Sequence, residues 1–558
     1  MTLKSHASSG DFRIFFAAHW RGERLYAALA GATCALYGLV LLINISAPWF
    51  SQYNAGDGAL FSAIAHNYLD YGVWNLRFGQ VVNVAPSAPS EFIYYQNHPP
   101  LLPLMVASSF ALFGESEAAA RLVPIACAIG SIALLVLIAR RIYGGRFAVL
   151  AALFFATTPT ALYFSRKVGY EAITQFFILL AVWAYLQFLK GGGFKRLMLL
   201  FLAITACLFA DWPGFLLVPP LVLHHWLTRR RDRYALLLCT GLPVLAVGVF
   251  ALLVYMSYMV DPESVRFLVG KGLIYSGLAP ANSEWTAEIV SAVKQDFSLL
   301  DLAEKLIPRL SLLFSFPIFL FAAFGVRVIH RWRDPVKWAP FLLLAVALLY
   351  CVIFYKSLYI HLWGTYYLAA PVALFAAAGA DVLFGEGEAS KSFIGDWTRW
   401  RRGVLIFLSL MLVTDAGVRL LTLGESTIHL LPGEQYEQPS FIRDVATQVR
   451  SHSGPGDAIL TNLPWMGALQ ILPYYAKREV VCEIVSVDVL EQWIADNPGR
   501  PWRFLYWSEP RGDGWELTEP VLKRLEQEAN GPGKDLVVDY QRFFWFDFPE
   551  RPREKAPE

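Results

Sequence analysis

Charge is what this chain has little of. Only 16% of its 558 residues are Asp, Glu, Lys or Arg, against about 25% in soluble proteins, and 56% are hydrophobic. Many runs of 17 or more residues carry no charge at all, enough to cross about 30 Å of hydrocarbon as helix. A soluble globular chain is excluded, and the sequence reads as a polytopic membrane protein. Cysteine is scarce too. Cys34, Cys127, Cys207, Cys239 and Cys351 fall inside apolar runs, and Cys482 stands alone in the tail, so the tail holds no internal disulfide. No CxxC or Cys/His spacing points to zinc, so no metal site is assigned. The tail has no Gly-rich loop between strand and helix, which argues against nucleotide binding there, and no nucleic-acid partner is expected. The first apolar run lacks an A-x-A cleavage site and reads as an anchor.

The net charge of +2 hides a split. Residues 1–422 hold 33 Lys+Arg and 23 Asp+Glu, whereas 423–558 hold 14 and 22, so the end of the chain is a distinct, acidic domain. Eleven apolar runs qualify as spans: 26–46, 118–139, 147–163, 171–189, 197–210, 212–227, 235–256, 309–326, 338–354, 366–384 and 404–422. The sixth contains Pro213, Pro219 and Pro220 and should kink. The short basic connections, such as Arg140-Arg141 to Arg146 and Arg229 to Arg233, belong on the cytoplasmic side. Residues 1–25 are then cytoplasmic, and 47–117, 257–308 and the tail lie outside. The run 99–113 is too short for a span and is expected to lie along the external interface. Leu60, Phe61, Ile64, Ala65 and Tyr68 repeat at helical spacing beside His66 and Asn67. In the tail, helices near 440–451, 488–495 and 517–528 alternate with strands near 458–460, 480–485, 503–507 and 537–548. That order predicts a small α/β domain. The fold class is thus an all-α membrane domain over 26–422 with a C-terminal soluble α/β domain over 423–558.

Polar residues gather in three external places. Asp57, in Asn-Ala-Gly-Asp-Gly at 54–58, suits a helix cap and a catalytic carboxylate alike, two roles that do not exclude each other. The very short turn after the third span holds Arg166, Lys167 and Glu171. Glu171 opens an apolar helix, where its bland role is to complement the helix dipole. The segment 356–367 offers Lys356, His361 and Tyr366 among aromatics that also suit an interfacial belt. Asp211 is a further external charge. His98 precedes Pro99-Pro100, whose fixed dihedrals hold it in place.

An acidic residue after the first span, then Gln96-Asn97-His98-Pro99-Pro100-Leu101, Phe113-Gly114 and Ala120-Arg121-Leu122, resembles the integral-membrane glycosyltransferases of the GT-C fold. The nearest likeness is to the protein O-mannosyltransferase and aminoarabinose transferase group. Arg140-Arg141-Ile142-Tyr143-Gly144 and Thr158-Pro159 match its texture, and the likeness runs over roughly 20–385. The resemblance implies transfer of a sugar from a polyprenyl-phosphate donor to an external acceptor (lipid, glycan or protein hydroxyl), in a bacterial inner membrane with a periplasmic tail. It implies Asp57 as catalytic base and Glu171 as the second acidic position. Arg166, Lys167, Lys356, His361 and Tyr366 would meet the donor phosphate or sugar, supported from the first loop by His66, Asn97 and His98. Two departures matter. Gly58 stands where many relatives carry Glu in an Asp-Glu pair, and His-Pro-Pro replaces the Lys-Pro-Pro of the aminoarabinose group. No cofactor is implied as obligatory, and a divalent cation stays open. The competing readings are a transporter or flippase of a lipid-linked substrate, against which stands the lack of repeats and of mid-span charge, and a non-catalytic scaffold. The enzyme reading expects Asp57, Glu171 and Lys356 to face one external cavity.

Overall fold

A computed structural model describes residues 9–49, 55–84, 89, 92–229, 231–278, 298–329, 334–384, 403, 407, 409–418, 442–463, 471–482, 484–508, 519–529, 532–538 and 541–548. Two compact units form. One comprises Met1–Ile45, Asn97–Leu101 and Leu122–Glu434; the other comprises Ser46–Gln96, Leu102–Arg121 and Gln435–Glu558. The expected boundary at 423 is thus crossed, because the first external loop packs with the tail.

The apolar helices lie mostly in the first unit. Six of those described are long and apolar enough to cross a bilayer: Gly22–Leu41, Glu117–Tyr143, Tyr170–Gly191, Ala235–Val260, Val336–Ile353 and Leu362–Leu383. Leu299–Leu313 and Phe316–Ile329, meeting at 107°, make a seventh if they count as one bent span. Buried Ser315, at φ +66, occupies the bend. The other expected spans fall on shorter or broken helices. Pro159 restarts the chain after Gly145–Thr157, as a residue without an N–H does at the first helical position, and the helix Pro159–Phe164 follows. Helix Phe194–Ala210 ends at Asp211, and the proline-rich run becomes a 3-10 turn, Trp212–Leu217, before helix Val218–Arg229. The run at 404–422 is described only in part, by Ser409–Val418.

Close backbone approach holds the helices together where there is no water to drive burial. A Cβ at Gly325 would overlap the Phe375 carbonyl, and one at Gly379 the Phe321 carbonyl. Helices Phe316–Ile329 and Ala369–Phe384 therefore meet backbone to backbone at two small residues.

In the second unit, helix Ala55–Asn67 runs into a π-turn, Tyr68–Gly72, and Asn67 ties the loop down by donating to the carbonyls of Val81 (2.9 Å) and Asn83 (3.0 Å). Most of the expected interfacial segment is helix Leu101–Phe113. The tail is α/β, as its alternation predicts. Strands β1 (Ala458–Thr461), β2 (Glu479–Val481), β3 (Trp502–Trp507), β4 (Lys534–Val538) and β5 (Gln541–Asp547) form one sheet of order β2-β1-β3-β5-β4. β1 pairs parallel with β2 and β3, and β4-β5 is an antiparallel hairpin added at β3. Helices Ile442–His452, Val487–Asp496 and Glu519–Glu528 stand at the expected places, and Ser486 caps the second of these through the Val489 N–H. Leu460, Leu490, Phe504, Val521 and Phe546 share the core. Ser440, which opens the first expected tail helix, lies outside the described residues. Helix Ile471–Ala476 was not anticipated.

Candidate functional site

Asp57 lies in the first turn of helix Ala55–Asn67, two residues inside its start, and is half-buried. Its position favours a carboxylate electrostatically, because the first-turn N–H groups carry partial positive charge. Gly58, beside it, is closely packed. A Cβ at residue 58 would overlap the ring of buried Trp49, so this helix packs on the indole at Gly58. His66, at the other end of the helix, lies with Nε2 3.0 Å from Asp70 and Nδ1 2.9 Å from Glu115.

The remaining candidates belong to the first unit. Asn97 and His98 join the break after helix Phe194–Ala210. His98 Nδ1 lies 2.7 Å from Asp211 Oδ1, its ring stacks on Tyr170 at 4.4 Å, and the Asn97 carbonyl accepts from the Trp212 indole at 2.7 Å. Asp211 is buried, and the His98 ring supplies a hydrogen-bond partner for its carboxylate in a proline-set turn.

Tyr170 begins the helix in which Glu171 occupies the first turn. Glu171 Oε1 pairs with Lys167 Nζ at 3.4 Å, both side chains being almost wholly buried. Oε2 is buried with no hydrogen-bond partner among the described residues. Gly169 makes room for this arrangement, since a Cβ there would overlap Oε2. A buried ion pair with one acceptor oxygen unsatisfied is costly to the fold, and such a group is a candidate for contact with a ligand donor.

Lys167 also sits over the Trp363 ring at 3.8 Å, and Trp363 stacks on His361 at 4.1 Å with 9° between planes. Three of the expected residues or their neighbours thus form one column. Around His361 the structure adds two lysines that the sequence reading did not single out. Lys305 leaves helix Leu299–Leu306, fixed by the Ser298/Asp301 capping box, and donates to the Tyr359 carbonyl. Lys271 leaves helix Pro262–Tyr275 over the Tyr275 ring at 5.5 Å. Burial, then the charges of Lys167, Lys271 and Lys305, hold the His361 imidazole down at about 3. His361 is therefore a neutral donor or acceptor at working pH. Burial also brings the Lys271 ammonium down to about 8. The result is a concentration of positive charge with aromatic walls, suited to an anion that carries an apolar tail.

Other expected residues have structural partners. Arg166 donates to the Ile43 carbonyl at 2.6 Å, just past the C-terminal end of the first span, a favourable place for a cation. Tyr366 is fully buried and joins Ser165 (3.0 Å), which in turn meets Tyr37 (2.7 Å). Lys356 is buried in the short helix Tyr355–Ile360. Among the described residues no three His, Cys, Asp or Glu side chains gather closely enough to hold a metal ion.

A family described as dolichyl-phosphate-mannose-protein mannosyltransferase matches residues 97–260. That stretch includes Asn97, His98, Lys167, Glu171 and Asp211 and excludes Asp57. No curated protein matches the chain by sequence. Solved structures do match by fold. ArnT from Cupriavidus metallidurans bound to undecaprenyl phosphate is similar with a TM-score of 0.59 at 14% identity, covering 92% of this chain and 97% of its own. The apo oligosaccharyltransferase of Archaeoglobus fulgidus is similar with a TM-score of 0.55 at 13% identity, covering 88% and 70%. AglB from the same organism, in complex with an inhibitory peptide and a dolichol-phosphate, gives 0.52 at 11%, covering 86% and 69%. The resemblance carried by the loop motifs therefore holds at the level of fold: this chain is an integral membrane protein with the GT-C fold of these glycosyltransferases.

Proposed function

We propose that the chain transfers a sugar from a polyprenyl-phosphate donor to an acceptor hydroxyl at the external membrane face. The observation that carries this reading is the gathering of Lys167, Lys271 and Lys305 around His361, walled by Trp363. A leaving phosphate needs fixed positive charge, supplied before the reaction and without reorganisation. The dolichyl-phosphate-mannose family match and the undecaprenyl-phosphate complex of ArnT support a lipid-linked anion as the ligand.

In this mechanism the acceptor hydroxyl gives its proton to the Asp57 carboxylate as its oxygen bonds to the anomeric carbon. The bond from that carbon to the phosphate oxygen breaks, and polyprenyl phosphate departs with the electron pair toward the lysines. One direct displacement inverts the anomeric centre. Glu171 holds Lys167 in place and offers Oε2 to a hydroxyl of the sugar or acceptor. No step requires a metal. The topology that serves this chemistry has eleven crossings, a cytoplasmic N-terminus and a periplasmic tail.

The test is transfer by purified full-length protein in lipid nanodiscs, supplied with radiolabelled polyprenyl-phosphate sugars and a panel of lipid, glycan and peptide acceptors. Carrier consumption by the wild type, abolished in Asp57→Asn, is the expected outcome. Equal consumption by both proteins removes Asp57 from the mechanism, and no consumption with any donor overturns the reading.

A further inference from the structure

The tail does more than occupy the external face. Its helix Ile471–Ala476 is wedged against the first-loop segments that hold the Asp57 helix, and it makes polar contacts relevant to both ends. Near the Asp57 end, the Tyr475 hydroxyl accepts from the Trp49 backbone N–H at 2.7 Å and donates to Glu117 at 2.6 Å. Trp49 is the ring on which Gly58 rests, and Arg121 lies over the same ring at 4.1 Å while donating to the Ala47 carbonyl. Near the other end, Lys477 pairs with Glu115, which accepts from His66 at 2.9 Å.

Lys477 itself is unusual. It follows the last residue of the helix at φ +53, with its N–H on the Pro473 carbonyl. Glycine is the ordinary residue at such a left-handed helix end, and a lysine there costs roughly 1 kcal/mol of backbone strain. The side chain bridges to Glu115 and lies over the Tyr474 ring at 4.6 Å. Burial raises the Glu115 carboxyl, but the bond from His66 and the Lys477 charge outweigh it and hold the group down at about 2, so the bridge is ionic throughout the neutral range.

We propose that helix Ile471–Ala476 and its terminal Lys477 are a positioning clamp for the Asp57 helix. Tyr475 fixes Trp49 beneath one end, and Lys477 fixes His66 through Glu115 at the other. None of these residues is a catalytic group, and the inference rests on the reading of Asp57 as base. It makes the C-terminal domain a working part of the first loop and not an appended module.

Lys477→Gly in the full chain separates positioning from stability. Glycine relieves the left-handed strain, so thermal stability should hold or rise, while the Glu115 contact is lost. The clamp predicts a kcat lower by roughly 10- to 100-fold, the cost of slight misplacement of a reacting group, with the KM for donor within about twofold. It also predicts faster amide hydrogen exchange across 55–67. Lys477→Arg should restore kcat and protection together, and Tyr475→Phe should loosen the helix at its Asp57 end. Unchanged exchange over 55–67 in both Lys477→Gly and Tyr475→Phe overturns the clamp, as does faster exchange at unchanged kcat. Exchange needs no turnover, so a wild type that transfers no sugar sinks the functional reading while the exchange result still decides whether the tail holds this helix.

Discussion

The two polar regions of this molecule are held by opposite means. The lysine cluster around His361 is built inside the apolar unit, where stacked aromatics and burial set the charges and leave little slack. The Asp57 helix belongs to the unit formed by the first loop and the tail, where partly exposed ion pairs and a docked helix set its position. The first arrangement tunes protonation. Burial first, and then the charges of nearby ammonium groups, keep His361 neutral, and burial brings Lys271 down to about 8. The second arrangement tunes geometry, through contacts from residues as far along the chain as Tyr475 and Lys477. An anion is gripped best by preorganised charge, whereas a base must be aimed. The contrast is what a transfer reaction with a charged leaving group asks for.

The sharpest way to break this comparison is Asp57→Asn. If Asp57 is the aimed base, kcat should fall by roughly 10²- to 10⁴-fold, while binding of the unreactive polyprenyl phosphate, measured by tryptophan quenching or calorimetry, should stay within about twofold. A variant that loses binding as much as turnover would move Asp57 into the anion site and erase the distinction. Lys305→Met is the mirror experiment. Loss of one fixed charge in a dry site should weaken polyprenyl-phosphate binding by roughly 10- to 100-fold. Hydrogen exchange of helix Ala55–Asn67 should not change.

Gly58→Glu would restore the acidic pair of the relatives and asks whether the missing carboxylate is a matter of chemistry or packing. The Trp49 ring lies where the new Cβ would go. The expected result is a loss of about 1 to 3 kcal/mol from overpacking, read as a lower melting temperature, with no gain in transfer. Gly58→Glu combined with Trp49→Ala should recover part of the lost stability. A single variant as stable as wild type would show that the indole moves aside readily and that the packing argument is wrong.

Much of this was legible in sequence where the signal is local. Alternating strands and helices located the tail elements, since each carries its own periodicity. The Glu171 turn was visible because a three-residue polar run between apolar helices has nowhere else to go. What depends on pairing across the chain was not. His98 and Asp211 each drew notice, but nothing in either segment says that one imidazole meets that carboxylate. Lys271 and Lys305 drew no notice in the long external loop, because a lone lysine among apolar residues looks the same whether it snorkels to water or faces a cluster. The neutrality of His361 is not visible in sequence either, since it comes from burial first and then from three lysines brought to it by other elements. Helix Ile471–Ala476 escaped because Pro473 breaks the usual helical reading of a six-residue apolar stretch. Span 147–163 was read as continuous because hydropathy does not register the break that Pro159 imposes, whereas the kink expected over 212–227 takes the form of the turn Trp212–Leu217 before helix Val218–Arg229.

The smallest expected effect is also the one that separates the two regions without a mutation in either. Lys271 stands at about 8, below the ordinary 10.5 of a lysine, because burial disfavours its charged form. Below that pH it is an ammonium; above it the folded protein holds it neutral, although a free lysine would still be charged. A phosphodiester donor keeps its charge throughout, so its affinity should fall by a few-fold as pH rises through about 8, with the inflection somewhat higher once the bound phosphate favours the ammonium. The first-loop unit answers at the other end of the scale. Glu115 is held at about 2 against an ordinary 4.5, so the stability it contributes is complete above about 4.5 and is lost only as pH falls toward 2. Between pH 5 and 9, then, the Lys477–Glu115 bridge should contribute a constant stability to the first-loop unit while donor affinity declines on the alkaline side. Lys271→Arg keeps its charge across this range and should flatten the alkaline decline. If the decline persists unchanged in Lys271→Arg, another group titrates there and Lys271 is not among the charges that meet the phosphate.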